Sequence, residues 1–324
     1  MASLLRKGGR KKSFIYLSTL FLLTCTIMTS WYLWKQQQIS SLQFIVYFQE
    51  REDKTASTET INYNQLEEKI KSQLYRFGGT YGLYVEDLTT GNKLEINADK
   101  SFPAASVIKV PLVLFLYSLA LDDRVDLDEK IVFEEKDREA GTGILKTQAV
   151  GSSYTLRQLA QYTIEYSDNS ATNMIMRRVG RENFYFFLRL MGAEIIPLGP
   201  GKGNIMCARD AGLYLKGVMV LRELHPEYGQ EILQHLLNSK FEDRIPAGVP
   251  QGVQVANKIG TQVNVINDAA IVLLEGRPYI LAVLTSHIHE QEAVGAIAQI
   301  SRLIFEHHRQ YVPLDILNEN TPVQ

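Results

Sequence analysis

Two residues that can form an activated nucleophile stand three positions apart, where an apolar segment begins. Ser106 and Lys109 precede the apolar stretch Val110 to Leu119, and on a helix they share a face. Burial in apolar surroundings lowers the pKa of a lysine and lets it act as a base. A serine at a helix N-terminus lies where backbone N–H groups favour negative charge. The pair indicates a nucleophile with its base, although the spacing is also typical of a capping serine beside a solvated lysine.

A second polar group follows a helix that is predicted to begin after Thr155. In this group Ser167 and Asn169 stand on either side of an aspartate, and alone such a tripeptide is typical of a turn between helices. In an active site, Ser167 can relay a proton to a leaving nitrogen, and Asn169 can bind an amide carbonyl of the substrate.

A third group lies on a strand-like segment near the C-terminal end of the chain. Lys258 can support the relay serine or a substrate carboxylate, and Gly260 allows a substrate backbone to approach closely. The N–H groups of Thr261 and Ser106 can together form an oxyanion hole. Taken alone, the segment is equally typical of an exposed strand lysine beside an edge glycine.

The order of these groups, Ser-x-x-Lys, Ser-Asp-Asn and Lys-x-Gly, resembles that of the class A β-lactamase-like family of serine hydrolases, which includes penicillin-binding proteins. Several neighbouring segments share the resemblance. They are Phe102 to Ser106, Leu127 to Lys130, Gly141 to Leu145, Asn169 to Asn173, Arg244 to Gly248 through Asn257 and Lys258, and Asn267 to Val272.

The resemblance implies an acyl-enzyme mechanism with Ser106 as nucleophile and Lys109 as its base. Ser167, supported by Lys258, would protonate the leaving nitrogen, while Asn169, Gly260 and Thr261 would bind the substrate. It implies neither a cofactor nor a metal ion. The substrate is expected to be a small-molecule β-lactam or a D-alanyl peptide of the cell wall.

The chain departs from the family where acyl-enzyme hydrolysis is concerned. True class A β-lactamases carry a Glu-x-x-Leu-Asn motif whose glutamate activates water. The corresponding stretch, Leu198 to Asn204, lacks this motif and is shorter, and Glu194 nearby is followed by Ile-Ile-Pro. Losing a positioned base typically costs ~10²–10⁴ in rate. We therefore expect slow deacylation.

A second departure concerns recognition of the substrate carboxylate. Ile259 stands where the family has a threonine or serine, whose hydroxyl helps to hold that carboxylate. Thr261 points to the same face of a strand and can replace it. No arginine stands at the start of the strand that begins at Ala269, where some family members use one.

The pattern of elements predicts an α+β fold. It is an antiparallel sheet from residues 62–100 and 250–312, flanked by N- and C-terminal helices, with an all-helical subdomain over residues 101–249. The two together form the hydrolase domain, 62–312. Residues 36–61 are predicted to be a stalk or linker, and residues 313–324 a tail.

The N-terminal 35 residues are predicted to be a cytoplasmic basic stub and a transmembrane anchor. Phe14 to Trp34 is an uncharged run long enough to cross a bilayer as a helix. Five basic residues precede it: Arg6, Lys7, Arg10, Lys11 and Lys12. By the positive-inside rule they stay in the cytoplasm, so the hydrolase domain lies outside a single-pass cell-membrane protein. A cleaved signal peptide is the alternative, but no Ala-x-Ala-like site follows the run.

Other features give no further chemistry. The net charge of −2 provides no overall field for binding nucleic acid. His287 and His289 lack a third metal ligand, and Cys207 is interpreted as a buried structural thiol. The chain is expected to be monomeric. Two alternatives to a lactam hydrolase stay open: a D,D-peptidase-like penicillin-binding protein, and a penicillin or muropeptide binder without turnover.

Overall fold

The computed structural model describes residues 21–31, 42–52, 60–196 and 204–313, which belong to two units divided after Leu42. In the first unit, residues 21–31 form a helix with exposed side chains. Within the four described ranges, every helix falls short of the length or the apolar character needed to span a membrane. The predicted anchor, Phe14 to Trp34, extends past both ends of residues 21–31 and so lies partly outside the described residues.

The described part of the second unit contains nine α-helices and nine strands. The helices are α1 (Gln43–Glu52), α2 (Asn64–Leu74), α3 (Lys109–Leu121), α4 (Leu156–Glu165), α5 (Asn169–Val179), α6 (Arg181–Leu190), α7 (Ala208–Leu224), α8 (Pro226–Leu237) and α9 (Glu290–Arg309). The strands are β1 (Thr80–Asp87), β2 (Lys93–Ile96), β3 (Phe102–Pro103), β4 (Lys130–Val132), β5 (Ser153–Thr155), β6 (Ile205–Met206), β7 (Gln254–Gln262), β8 (Val265–Leu273) and β9 (Tyr279–Ser286).

Five strands from both ends of the chain form one antiparallel sheet in the order β2-β1-β9-β8-β7. This confirms the predicted α+β fold with an antiparallel sheet and a helical insertion. Strand β7, which carries Lys258, lies at one edge, and its register with β8 places Gly260 opposite Asn267. Two small two-stranded sheets, β3 with β6 and β4 with β5, were not expected from the sequence.

One face of the sheet packs against α2 and α9. Alternate residues of β1, Leu83 and Val85, point into this core, as the period of two along a strand requires. Helix α9 contributes Ile297, Ile300 and Ile304, which recur at helical spacing and are fully buried. Their removal from water supplies the main drive that holds the terminal helices on the sheet.

The other face of the sheet meets the helical subdomain through α7. At Gly212 an added Cβ would lie 2.2 Å from the Tyr84 ring of β1, so only glycine lets helix and strand approach this closely. Helix α3 runs through the interior, and its residues from Lys109 to Ala120 are all buried. The helix that begins at Lys109 is therefore fixed on all sides by packing.

Helix α1 lies within residues 36–61, which the sequence predicts to be a stalk or linker. The apolar patch Phe44 to Phe48 lies within this predicted linker. In the structure this stretch is helical, and Phe44 and Phe48 are buried. Phe44 stacks on Phe187 of α6 with ring centroids 6.1 Å apart, and Gln49 donates to the Leu190 carbonyl. The folded unit thus begins at Gln43, well before the predicted start at residue 62.

Candidate active site

Ser106 lies on a short 3-10 helix, Ala105–Ile108, that leads directly into α3. The preceding residue, Ala105, has a φ of +48°, a left-handed conformation that residues with a side chain rarely adopt. Two amide side chains hold this turn: Asn204 Nδ2 donates to the Ala105 carbonyl at 2.6 Å, and Asn267 Nδ2 donates to the Pro103 carbonyl at 2.7 Å. Strained backbone that its surroundings hold in this way is characteristic of functional sites.

Gly260 brings strand β7 against this turn. A Cβ at position 260 would lie 2.9 Å from the Ala104 carbonyl oxygen and 3.1 Å from the Ser106 nitrogen. A larger residue would push the strand away from the nucleophile. The structure therefore brings Gly260 and its neighbour Thr261 beside Ser106, while the use of the Thr261 N–H in an oxyanion hole stays a prediction.

Both predicted lysines converge on the hydroxyl of Ser167. Lys258 Nζ donates to Ser167 Oγ at 3.0 Å, and Lys109 Nζ lies 3.3 Å from the same oxygen. Lys109 Nζ also donates to the Ser167 carbonyl and to Asn169 Oδ1, each at 2.7 Å. Three groups that are far apart in the sequence thus meet at one hydroxyl, in the arrangement that a proton relay needs.

The two lysines are buried, and this changes their acid–base behaviour. Burial lowers the pKa of Lys109 to about 8, although attraction by the carboxylates of Asp168 and Glu139 opposes the change. Burial, together with repulsion by the Lys109 charge, lowers the pKa of Lys258 well below its usual value. An amine that becomes neutral near physiological pH can accept a proton, as a catalytic base must.

Asp168 fixes the residues on either side of it. Its Oδ1 caps α5 by accepting from the Ala171 N–H at 2.9 Å. Its Oδ2 accepts from the N–H groups of Ile144 and Leu145 at 2.6 and 2.8 Å. Since the carboxylate is fully buried and hydrogen-bonded, it positions Ser167 and Asn169, and neither oxygen faces a substrate.

Asn169 is held by two contacts. Its Oδ1 accepts from Lys109, and its Nδ2 donates to the Ala140 carbonyl at 2.8 Å. A side-chain amide has two N–H donors, so one can still serve the substrate carbonyl as predicted.

Arg244 is a residue of the site that the sequence did not reveal. Its guanidinium is buried and donates to Thr261 Oγ1 at 2.7 Å, to the Asn267 carbonyl at 2.6 Å and to the Gly260 carbonyl at 3.1 Å. The family comparison pointed to an arginine at the start of the strand that begins at Ala269, where none stands. The structure instead brings one from the segment before β7, and the only sequence signal for it is the basic residue that opens the Arg244 to Gly248 segment.

Glu194 lies outside the site. Its carboxylate forms an ion pair with Arg209, which also binds Glu95 of β2. Strand β2 is at the opposite edge of the sheet from β7. The stretch that replaces the Glu-x-x-Leu-Asn motif, Leu198 to Asn204, lies outside the described residues except for Asn204, so its predicted shortening stays a prediction.

In the described part of the chain, no three or more His, Cys, Asp or Glu side chains are grouped to hold a metal ion. Cys207 is buried at the start of α7, where its Sγ accepts from the Asp210 N–H, and burial raises its thiol pKa to about 12.

The sequence of the chain is similar to those of known β-lactamases. The model of the β-lactamase enzyme family matches residues 65–308. β-Lactamase SME-1 of Serratia marcescens is 27% identical over 257 residues, covering 74% of this chain and 87% of that protein. β-Lactamase 3 of Bacillus cereus is 27% identical over 248 residues, covering 71% and 77%.

Solved structures show the same likeness. PBP-A aligns with a TM-score of 0.72 at 25% identity, covering 78% of this chain and 100% of that chain. A PBP-A mutant, solved as its acyl-enzyme complex with penicillin G, aligns with a TM-score of 0.72 at 26% identity, covering 76% and 97%.

The substitution Gly143→Ala is expected to displace the Asp168 side chain, which positions the neighbouring Ser167. At a φ of +114°, the added Cβ would lie 2.3 Å from Asp168 Cγ. Gly151 is the matched control, because its φ is +92° and no atom lies within 4 Å of its added Cβ. We expect Gly151→Ala to lower the free energy of unfolding by about 1 kcal/mol. Gly143→Ala should lower it by about 2 kcal/mol more, measured by urea denaturation; equal losses would contradict the assigned clash.

Proposed function

Because the chain belongs to the β-lactamase enzyme family, it is a class A β-lactamase-like serine hydrolase, and we propose that it opens β-lactams through an acyl-enzyme on Ser106. One observation carries the proposal. The amines of Lys109 and Lys258 both lie within hydrogen-bond distance of Ser167 Oγ, beside the turn that presents Ser106.

In the acylation step Lys109, as a neutral amine, takes the proton of Ser106 Oγ, which attacks the lactam carbonyl. The N–H groups of Ser106 and Thr261 stabilise the oxyanion of the tetrahedral intermediate. As the C–N bond breaks, Ser167 donates its proton to the leaving nitrogen and is reprotonated by the Lys109 ammonium, with which it is already in contact. Lys258 holds the Ser167 hydroxyl in place.

The substrate carboxylate is assigned to the surface formed by Thr261 and Arg244. Ile259 cannot supply the usual hydroxyl, and its side chain is buried. The Thr261 hydroxyl accepts from Arg244 and can donate its own proton to a carboxylate, while the guanidinium supplies positive charge behind it. This pair supports the recognition of an anionic substrate despite the altered Lys-x-Gly sequence.

A D,D-peptidase acting on D-alanyl cell-wall peptides is the second candidate function. The similarity to PBP-A favours it, because a mutant of that protein was solved as an acyl-enzyme complex with penicillin G. Both candidates share the acylation step. They differ in how fast water releases the acyl group, and a binder without turnover would release none.

Labelling with a fluorescent penicillin, followed over time by intact-mass spectrometry, tests the proposal. We expect one covalent adduct, which Ser106→Ala abolishes. Ser118→Ala is the control, because that serine lies on the same helix and its hydroxyl donates to the Phe115 carbonyl, outside the site. Multiple turnover would favour a β-lactamase, and a long-lived adduct a peptidase or binder. Absence of an adduct, or labelling that survives Ser106→Ala, would refute the assignment.

The acylation rate is expected to depend on the protonation of Lys109. Only the neutral amine is a base, and the pKa is about 8. The rate should therefore rise roughly tenfold per pH unit below pH 7 and level off above about pH 9, as measured by stopped-flow labelling. Lys109→Arg, which keeps the charge but cannot lose its proton, should remove the rise. A rise that continues unchanged to pH 10 would mean that Lys109 has an ordinary lysine pKa.

We further propose that the enzyme is a single-pass membrane protein with the hydrolase domain outside the cytoplasm. The five basic residues before the uncharged run Phe14 to Trp34 support this orientation. N-terminal sequencing of protein extracted from membranes should find the basic residues retained. A mature chain that starts near Gln36 would replace the anchor with a cleaved signal peptide.

A further inference from the structure

We infer that Glu139 is the base that activates water for hydrolysis of the acyl-enzyme. The inference rests on the proposed function, because it concerns the second half of that reaction. Glu139 lies between β4 and β5, just before the Gly141 to Leu145 segment that resembles the family, and no role was expected for it from the sequence.

The placement of Glu139 follows from three hydrogen bonds to the start of α5. Its backbone N–H donates to Ser170 Oγ at 3.0 Å. The next residue, Ala140, accepts from Asn169 Nδ2 at 2.8 Å. The Glu139 carboxylate itself accepts from Asn173 Nδ2 at 2.7 Å through Oε2.

These contacts place the carboxylate next to the catalytic groups. Asn169 and Asn173 are four residues apart on α5 and therefore share a face. Asn169 binds Lys109 Nζ on that face, and Asn173 binds Glu139 one turn further along. The negative charge of Glu139 is close enough to oppose the lowering of the Lys109 pKa.

The carboxylate of Glu139 is available to take a proton from water, whereas the carboxylates of Asp168 and Glu194 are not. Asp168 is buried, with both oxygens occupied by backbone N–H groups. Glu194 is paired with Arg209. Glu139 is exposed to solvent, and no salt bridge joins it to a lysine or arginine of the described ranges.

In the proposed step, a water molecule gives a proton to the Glu139 carboxylate as its oxygen attacks the ester carbonyl. The tetrahedral intermediate then collapses, and the bond between the acyl carbon and Ser106 Oγ breaks. Its electron pair goes to Oγ, which takes the proton back from Glu139 through Lys109. The products are free Ser106 and the hydrolysed acid, so charge and protons balance.

Glu139→Gln in the full-length protein tests this role. Glutamine keeps the length of the side chain and the carbonyl oxygen that accepts from Asn173, but it cannot take a proton. Glu135→Gln is the matched control, because Glu135 is an exposed carboxylate on the same segment that pairs with Arg138. Acylation and release are measured separately, by the appearance and decay of the penicillin adduct in intact-mass spectra.

Above about pH 9, where Lys109 is neutral in both proteins, we expect Glu139→Gln to form the adduct at the rate of the unmodified enzyme and to release it at least about 10²-fold more slowly. Glu135→Gln should leave both rates unchanged.

Unchanged release in Glu139→Gln despite normal acylation would overturn the inference and leave the proposed function intact. An unmodified enzyme whose adduct never decays would also overturn the inference, and it would favour the peptidase or binder over the β-lactamase. A structural role for Glu139 would instead slow acylation as well and lower the melting temperature. If the unmodified enzyme forms no adduct at all, the proposed function fails, and this inference fails with it.

Discussion

Two lysine amines buried around the hydroxyl of Ser167 set the main constraint on this structure. Removing a cation from water is costly, and two cations that face one oxygen also repel each other. The protein meets this cost by lowering the pKa of both amines and by directing carbonyl and amide oxygens at them. Burial destabilises the protonated form of Lys109, and this allows the amine to act as a base. An amine that remained fully solvated would stay protonated and could not do so.

Two buried aspartates next to the site, Asp268 and Asp168, supply negative charge that compensates for the two lysines. Asp268 of β8 is fully buried and accepts from the Ile245 N–H at 3.0 Å and from Asn257 Nδ2 at 3.1 Å. Burial raises its pKa to about 6, and the nearby positive charges of Arg244 and Lys258 act against that rise. Asp168 has a similar position on the helical side. The helical subdomain therefore contributes Lys109 and Asp168, and the sheet contributes Lys258 and Asp268. The site lies where these two parts meet.

The sequence predicted the sheet and the order of the chemical groups because both depend on local spacing. It did not predict features that depend on long-range packing. Arg244 reaches Thr261 only because the segment before β7 folds back against that strand. The stretch Phe44 to Phe48 has the composition of a strand, and only its packing on α6 decides that it is helical. Glu139 is one of many glutamates in the sequence, and the hydrogen bond to Asn173 that places it beside the site forms only in the fold.

Helix α5 connects the two halves of the proposed reaction. Its N-terminal cap, Asp168, directly follows Ser167, which serves acylation, and the first turn carries Asn169, which binds Lys109. The next turn carries Asn173, which holds Glu139. Because a helix is rigid over two turns, the proton relay and the water-activating carboxylate are fixed at a set separation. A shift of α5 would therefore disturb both steps together, whereas a change confined to Glu139 acts on the second step alone.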